Sequence, residues 1–278
     1  EAPTDPELGK FRDKAVLDFV YCWGYTLPQI ACLTAGMTGR KEHTSDRINR
    51  LEKEGLLERE DFSSKHYRQL VMLTPSGYRY IDEVREEWRV ELEASGTIGM
   101  NPLPRMPMAK RSRIPFTTLD HDLTVQCIAM EFSGLLTFAP ERNLHGSPFR
   151  RPDALVERPS RDNSNGKEIV AIEYDKSTLS KPRTERRLME CERVLVPNLD
   201  QGGAESHDTP GAGGINRWVI VCNSWAQVKK YRNLLKAGEV AKGNRAGSHS
   251  LHKSRYLILH ISQLNAPRLG QVLSKLVD

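Results

Sequence analysis

No run of about 18 apolar residues occurs anywhere in the 278-residue chain, so nothing in it is long and apolar enough to read as a membrane-spanning helix. Cysteine is scarce. Its five copies are odd in number and include no C-x-x-C pair, which excludes a disulfide framework or a cysteine zinc site and fits scattered thiols in a reducing, cytoplasmic compartment. No H-x-H or comparable histidine cluster is present to hold a metal beside a tyrosine nucleophile, and His249 and His252 sit in a polar loop without a third ligand. The first residue is Glu1 rather than Met, which leads to the expectation that the chain begins inside a longer one. The charge balance is close to even, at +5 with a pI near 8.9, and this mild excess of base suits a polyanionic partner without requiring one.

The pattern along the chain is more informative than the totals. Phe11, Ala15, Val16, Phe19 and Val20 recur at helical spacing in FRDKAVLDFVYCWGY. TLPQIACLTAG reads as a short second helix, with Thr26 as its cap and Pro28 in its first turn. HTSDRINRLEKEGLLERE reads as a third, with Ile48 and Leu51 inward and Arg47, Arg50 and Lys53 on the other side, near Lys41. Two strands then flank a polar tip holding Lys65, and TPSGYRYIDEVREEW restarts a helix with Pro75 just inside its beginning. Helix, helix, helix, ribbon, helix is the order of a winged helix-turn-helix, and INRLEKEGLLERE with YRQLVMLTPSGYRYI resembles many bacterial winged-helix proteins over about residues 11 to 90. In that arrangement the third helix is free to enter a DNA major groove. The alternative is a solvated face on which Glu42, Asp46, Glu52 and Glu54 neutralise the same cations.

Residues 94–117 are rich in proline and small residues, carry Arg105, Lys110, Arg111 and Arg113 without an acid between them, and show no period. They read as a basic linker, either laid along a phosphate backbone or serving only as a tether. The expected division is therefore 1–93, a linker over 94–117, and a second domain over 118–278. The second domain opens on a helix, LDHDLTVQCIAMEF, and continues through three strands, a charged helix, a strand, a helix and a final strand, the order of a mixed sheet flanked by helices.

Two strand ends in that domain carry charge. RPDAL places Asp153 beside an apolar run, and KEIVAIEYDKS ends an apolar strand on Glu173, Asp175 and Lys176. Residues two apart on a strand share a face, so Glu173 and Asp175 point together; Asp153 joins them if the two strands are hairpin neighbours. Three converging carboxylates suit a hard divalent cation, Mg²⁺ or Mn²⁺, which activates water against a phosphodiester. Lys176 would orient that water or offset the developing charge. The basic stretch Lys181, Arg183, Arg186 and Arg187 either grips a nucleic-acid backbone or forms a solvated face paired with Glu185 and Glu190. His121 and Asp122 are either accessory metal and phosphate contacts or ordinary helix-capping residues.

P-D, about twenty residues, then E-x-D-K resembles the PD-(D/E)XK restriction-endonuclease-like superfamily. Together with HDLTV and the preceding winged helix, the pattern is more narrowly similar to replication-relaxation proteins and MobC-type relaxases of mobilisable plasmids. The resemblance implies an α+β multidomain protein, a winged helix followed by a mixed α/β nuclease domain. It implies a metal-dependent nickase at an origin of transfer, with DNA and other relaxosome or coupling proteins as partners. It also makes Asp153, Glu173 and Asp175 the ligands and Lys176 the catalytic lysine. The chain departs from the motif at the position two after Glu173, where Asp175 replaces lysine; Lys181 is a substitute. The contrasting expectation is a DNA-binding accessory or regulatory protein that does not cut.

Overall fold

The computed structural model describes residues 5–34, 41–61, 69–94, 108, 114, 118–132, 136–140, 152–159, 167–176, 179–193, 195, 215–241 and 248–264. The chain is α+β and divides into two compact units, one running to Met130 and the other from Glu131 to Asn265.

The first unit begins with helices α1 (Asp5–Trp23), α2 (Pro28–Thr34) and α3 (Lys41–Lys53). A two-stranded antiparallel ribbon comes next, β1 (Leu57–Asp61) against β2 (Gln69–Leu73), in register from Leu57 opposite Leu73 to Asp61 opposite Gln69. Thr26 pairs with Val71 on the ribbon's free side through both backbone hydrogen bonds, at 3.1 and 2.9 Å, so the α1–α2 connection adds a third rung of sheet. Helix α4 (Pro75–Ala94) starts where sequence chemistry places it: Thr74 Oγ1 accepts from the Gly77 amide at 3.0 Å, and Pro75 fills the first helical position. Val16, Leu17, Val20, Ile30, Ile48, Leu51, Leu70, Val71 and Ile81 are sealed in one core.

Arginines tie these helices together. Arg85 of α4 is buried, pairs with Asp18 of α1, and lies over the Tyr21 ring at 4.8 Å.

Helix α5 (Leu119–Phe132) lies in the first unit up to Met130, where composition alone would open the second domain with it. Polar chemistry explains the difference. Gln126 is fully buried, donates to the Tyr25 carbonyl at 2.9 Å and accepts from Thr26 Oγ1 at 2.6 Å, while Asp122 accepts from the Tyr25 hydroxyl. A buried amide needs such partners, and the α1–α2 connection provides them. Of the 94–117 linker, Met108 is exposed and Ile114 buried; Arg111 lies outside the described residues, as does Lys65.

The second unit is built on a five-stranded mixed sheet of β3 (Leu136–Pro140), β4 (Ala154–Pro159), β5 (Lys167–Asp175), β6 (Ile215–Cys222) and the last strand, β9 (Tyr256–His260), in that spatial order. The first three strands are antiparallel, and β5, β6 and β9 run parallel. Helix α6 (Lys181–Glu192) connects β5 to β6, and α7 (Trp225–Ala237) comes after β6. Short strands β7 (Glu239–Ala241) and β8 (Ser248–Ser250) pair with each other between α7 and β9. Strands β5 and β6 are nearly continuous apolar runs because both of their faces are buried. Among the described residues no helix is long and apolar enough to cross a membrane, and all five cysteines are buried thiols.

Gly77 marks the tightest backbone approach in the first unit: a methyl group there would run into the Leu56 carbonyl oxygen. Gly77→Ala is expected to lower the stability of the protein by about 1–3 kcal/mol, the usual cost of overpacking. Urea unfolding followed by circular dichroism measures it; an unchanged midpoint would refute the close approach.

Candidate functional site

Strand β5 delivers two acids to one place. Alternation along the strand sends Ala171, Glu173 and Asp175 to the face that α6 and α7 cover, and both carboxylates are almost wholly buried there. Burial of two anions in an apolar layer is unfavourable without a cation and hydrogen-bond donors. Both are supplied by the covering helices. Arg187 of α6, its side chain 18% exposed, places Nη1 3.0 Å from Asp175 Oδ2 and Nη2 3.5 Å from Glu173 Oε1, bridging the pair. Tyr231 and Gln227 of α7 also donate to Asp175 Oδ2, at 3.0 and 3.3 Å. Gln227 further donates to Thr184 at 3.2 Å and accepts from Lys230 at 3.3 Å, and Lys230 also donates to the Leu179 carbonyl, so α7 is fastened to the start of α6.

Asp153 lies immediately before β4, and Ala154 pairs with Ile172 as hairpin neighbours should. Its Oδ2 accepts from the Tyr174 backbone amide at 2.7 Å. That amide points toward β4 one step past the last ladder pair, where no strand residue remains to receive it, and the Asp153 carboxylate takes the place of the missing carbonyl. The three acids singled out by their spacing therefore stand at one end of neighbouring strands, Asp153 and Asp175 accepting hydrogen bonds from the protein and Glu173 ion-paired with Arg187.

This chemistry differs from that of an oxygen-ligand set awaiting a hard cation. Among the described residues no group of three or more His, Cys, Asp or Glu side chains is disposed to hold a metal ion. Asp175 Oδ2 is taken by three donors and the guanidinium spans both β5 acids. As arranged, the guanidinium of Arg187 supplies the positive charge between the two β5 acids. Lys176 is exposed just beyond the strand, on the opposite alternation from the two acids, and Lys181 is exposed and lies 3.7 Å from Glu185. Neither lysine is brought to the carboxylates. Arg183 and Arg186 are exposed on α6.

Arg187 is the functional-site residue that sequence pattern leaves inside a basic stretch without a distinct role. A signal for it exists: Thr184, Arg187, Leu188 and Cys191 recur on one stripe of α6, the stripe that faces the sheet. On α7 the matching stripe carries Gln227, Val228, Tyr231, Leu234 and Leu235.

The candidate DNA-facing residues of the first unit separate in the same way. Arg47 is turned inward, paired with Asp13 of α1 and donating to the Gly9 carbonyl at 2.9 Å. Arg50 also pairs with Asp13 but is half-exposed, and Lys53 is exposed. The outward side of α3 thus carries Ser45, Asp46, Asn49, Arg50 and Lys53. Lys41 is the first residue of α3. His121 and Asp122 lie on α5, with Nδ1 of His121 3.5 Å from the Asp122 carboxylate.

No protein-family model matches the chain, and no curated protein matches it. Among solved structures, the organohalide-sensing RdhR-CbdbA1625 transcriptional regulator in its 2,4-dichlorophenol-bound form is similar at 17% identity and a TM-score of 0.25, covering 50% of this chain and 71% of that one. A TM-score that low does not establish a shared fold.

Two measurements probe the buried network. Arg187→Met should destabilise the protein by about 3–5 kcal/mol, because two buried carboxylates lose their shared cation. Combining it with Glu173→Gln and Asp175→Asn should restore most of that loss in urea unfolding; a triple variant as unstable as the single one would place the cost in packing instead. Alkaline stability depends on burial. Burial pushes the Cys222 thiol up to about 12, aided by the Asp175 charge, and raises the Tyr231 and Tyr256 phenols well above their ordinary value. Groups raised in the folded state contribute fully below their unfolded pKa and lose that contribution as pH rises toward the folded value. The urea midpoint is therefore expected to fall from about pH 9 upward, where unfolded thiols and then phenols ionise.

Proposed function

We propose that the chain is a DNA-binding accessory or regulatory protein, whose first unit acts as a winged helix-turn-helix and presents α3 to a major groove. The observation that carries this reading is the two-sidedness of α3. Ile48 and Leu51 are buried in the unit's core, while Ser45, Asp46, Asn49, Arg50 and Lys53 face out, a set that offers hydrogen bonds to base edges and, at Arg50 and Lys53, cations to phosphates. The element order of three helices, a ribbon and a fourth helix supports it. Fixing Arg47 and Arg50 to Asp13 orients the helix, at the expense of one cation on its outward side.

A second reading keeps the cleavage chemistry: a metal-dependent, strand-specific endonuclease acting at an origin of transfer. It is favoured by one observation, that Asp153, Glu173 and Asp175 stand together at the end of β4 and β5. It requires Arg187 to release both β5 acids, and the burial of Asp175 with three donors on its Oδ2 weighs against it.

One series of assays separates the readings. A random-sequence duplex library selected on the full chain should yield a bound site. Arg50→Ala with Lys53→Ala should weaken binding to that site and make its salt dependence shallower, by about 0.9 in slope for each phosphate no longer neutralised. Failure to retain any duplex at low salt removes the first reading. Supercoiled plasmid carrying the selected site, incubated with Mg²⁺ or Mn²⁺, should stay closed; nicking that disappears in Asp153→Ala and Glu173→Ala would instead establish the endonuclease.

A further inference from the structure

Helix α7 carries Lys229, Lys230, Arg232 and Lys236 and not one acid. Its inward stripe is accounted for by the core, but its outward one is not. Trp225, Lys229, Arg232 and Lys236 are all exposed, and their spacing of four, three and four residues places them along a single face about 16 Å long. Among the described residues no ion pair joins Lys229, Arg232 or Lys236 to a carboxylate, whereas on α6 Lys181 pairs with Glu185 and Arg187 with Glu173 and Asp175. Arg232 uses one arm to donate to the Ile258 carbonyl at 2.8 Å, which fixes it against β9.

The head of this face is an aromatic platform. Trp225 is 53% exposed, an unfavourable position for so large an apolar ring, and it stacks on His260 with ring centroids 4.5 Å apart and planes within 8° of parallel. His260 is itself held, its Nδ1 2.7 Å from Ser262 Oγ and accepting from the Ser262 amide, so one ring of the pair is braced from below. A flat, braced indole at one end of a row of cations is the arrangement that takes an unpaired base on its face and the sugar-phosphate backbone along its cations. The platform also lies at a defined place in the sheet. Asp175, Cys222 and His260 are register partners on β5, β6 and β9, so the His260 backbone is about 10 Å from that of Asp175.

We propose that this outward face of α7 is a contact surface for an unpaired nucleic-acid strand, with Trp225 stacking one base and Lys229, Arg232 and Lys236 holding successive phosphates. The inference rests on the reading of the protein as one that acts on DNA, and extends it to strand-separated substrate and to the second unit. An anionic membrane would satisfy the lysines but leaves the flat, braced stack without a purpose, so nucleic acid is the better fit.

The test is fluorescence anisotropy of the full chain with a labelled mixed-sequence single-stranded oligonucleotide, beside the same measurement with the selected duplex. Trp225→Ala should weaken single-strand binding about tenfold, the usual effect of removing one stacking partner, and Trp225→Phe should recover part of it. Lys229→Gln and Lys236→Gln should each reduce the salt slope for the single strand by about 0.7. All four residues are exposed, so these variants should fold as the parent does. If wild type binds the single strand and Trp225→Ala binds it equally well, the proposal falls while duplex binding by the first unit is untouched. If wild type binds duplex but no single strand, or binds phosphatidylserine vesicles in preference to the oligonucleotide, it falls as well. Loss of duplex binding alone, with the single-strand effects intact, sinks the winged-helix reading and leaves this one standing.

Discussion

One guanidinium between two buried carboxylates sets the geometry of the second unit. Glu173 and Asp175 emerge from a strand that is apolar on both faces, and nothing on the sheet itself can neutralise them. The cation has to arrive from outside the sheet, on α6, so Arg187 fixes where that helix lies. Tyr231 and Gln227 then complete the Asp175 oxygen from α7, which fixes the second helix relative to the first. The energetic gain from such a buried cluster is small once desolvation is counted, and an apolar replacement of equal volume would stabilise as well. What the charges add is specificity of place: both helices meet at Asp175, and Arg187 ties α6 to Glu173 as well.

The first unit applies the same device between helices. Arg85 reaches from α4 to Asp18, and Arg47 and Arg50 reach from α3 to Asp13, so α1 holds its neighbours by two aspartates about a turn and a half apart. For α3 this has a functional consequence. If α3 enters a groove as proposed, it must be held against the load of phosphate contacts, and the Asp13 pairs would hold it at the cost of a free cation. Its outward surface is consequently more polar than basic, which suits reading base edges better than general attraction to a duplex.

Much of this was legible in the sequence, and the parts that were not have a common cause. Alternation in KEIVAIEYD located the two acids on one face, and the turn-rich segment before it made β4 and β5 hairpin neighbours, as they are. Pro75 placed the start of α4. Three things escaped. Arg187 looked like one of four cations in a basic stretch, since only the sheet it faces distinguishes it from Arg183 and Arg186. The Asp153 carboxylate also closes the end of a backbone ladder, a demand visible only in the register. Helix α5 was grouped with the strands after it because composition changes at its start, whereas a buried glutamine decides where it packs. Local periodicity is a property of neighbours in the chain, and each of these choices depends on a partner far away in it.

The two functional readings of the second unit differ in whether one side chain stays where it is. With Arg187 in place, the charge of the two acids at the end of β5 is offset by one guanidinium, and Lys176, exposed one residue further on, is the next positive group along the strand. Two strands away, at the head of α7, the same edge of the sheet is open, cationic and aromatic. Crevices outside the carboxyl ends of parallel strands are where mixed sheets of this kind receive ligands, because successive connections diverge there and leave room. In this chain that edge is divided between a sealed half and an exposed half. A nucleic-acid strand attracted to the exposed half would pass its backbone close to the sealed one, and its phosphates would compete with Glu173 and Asp175 for the guanidinium of Arg187.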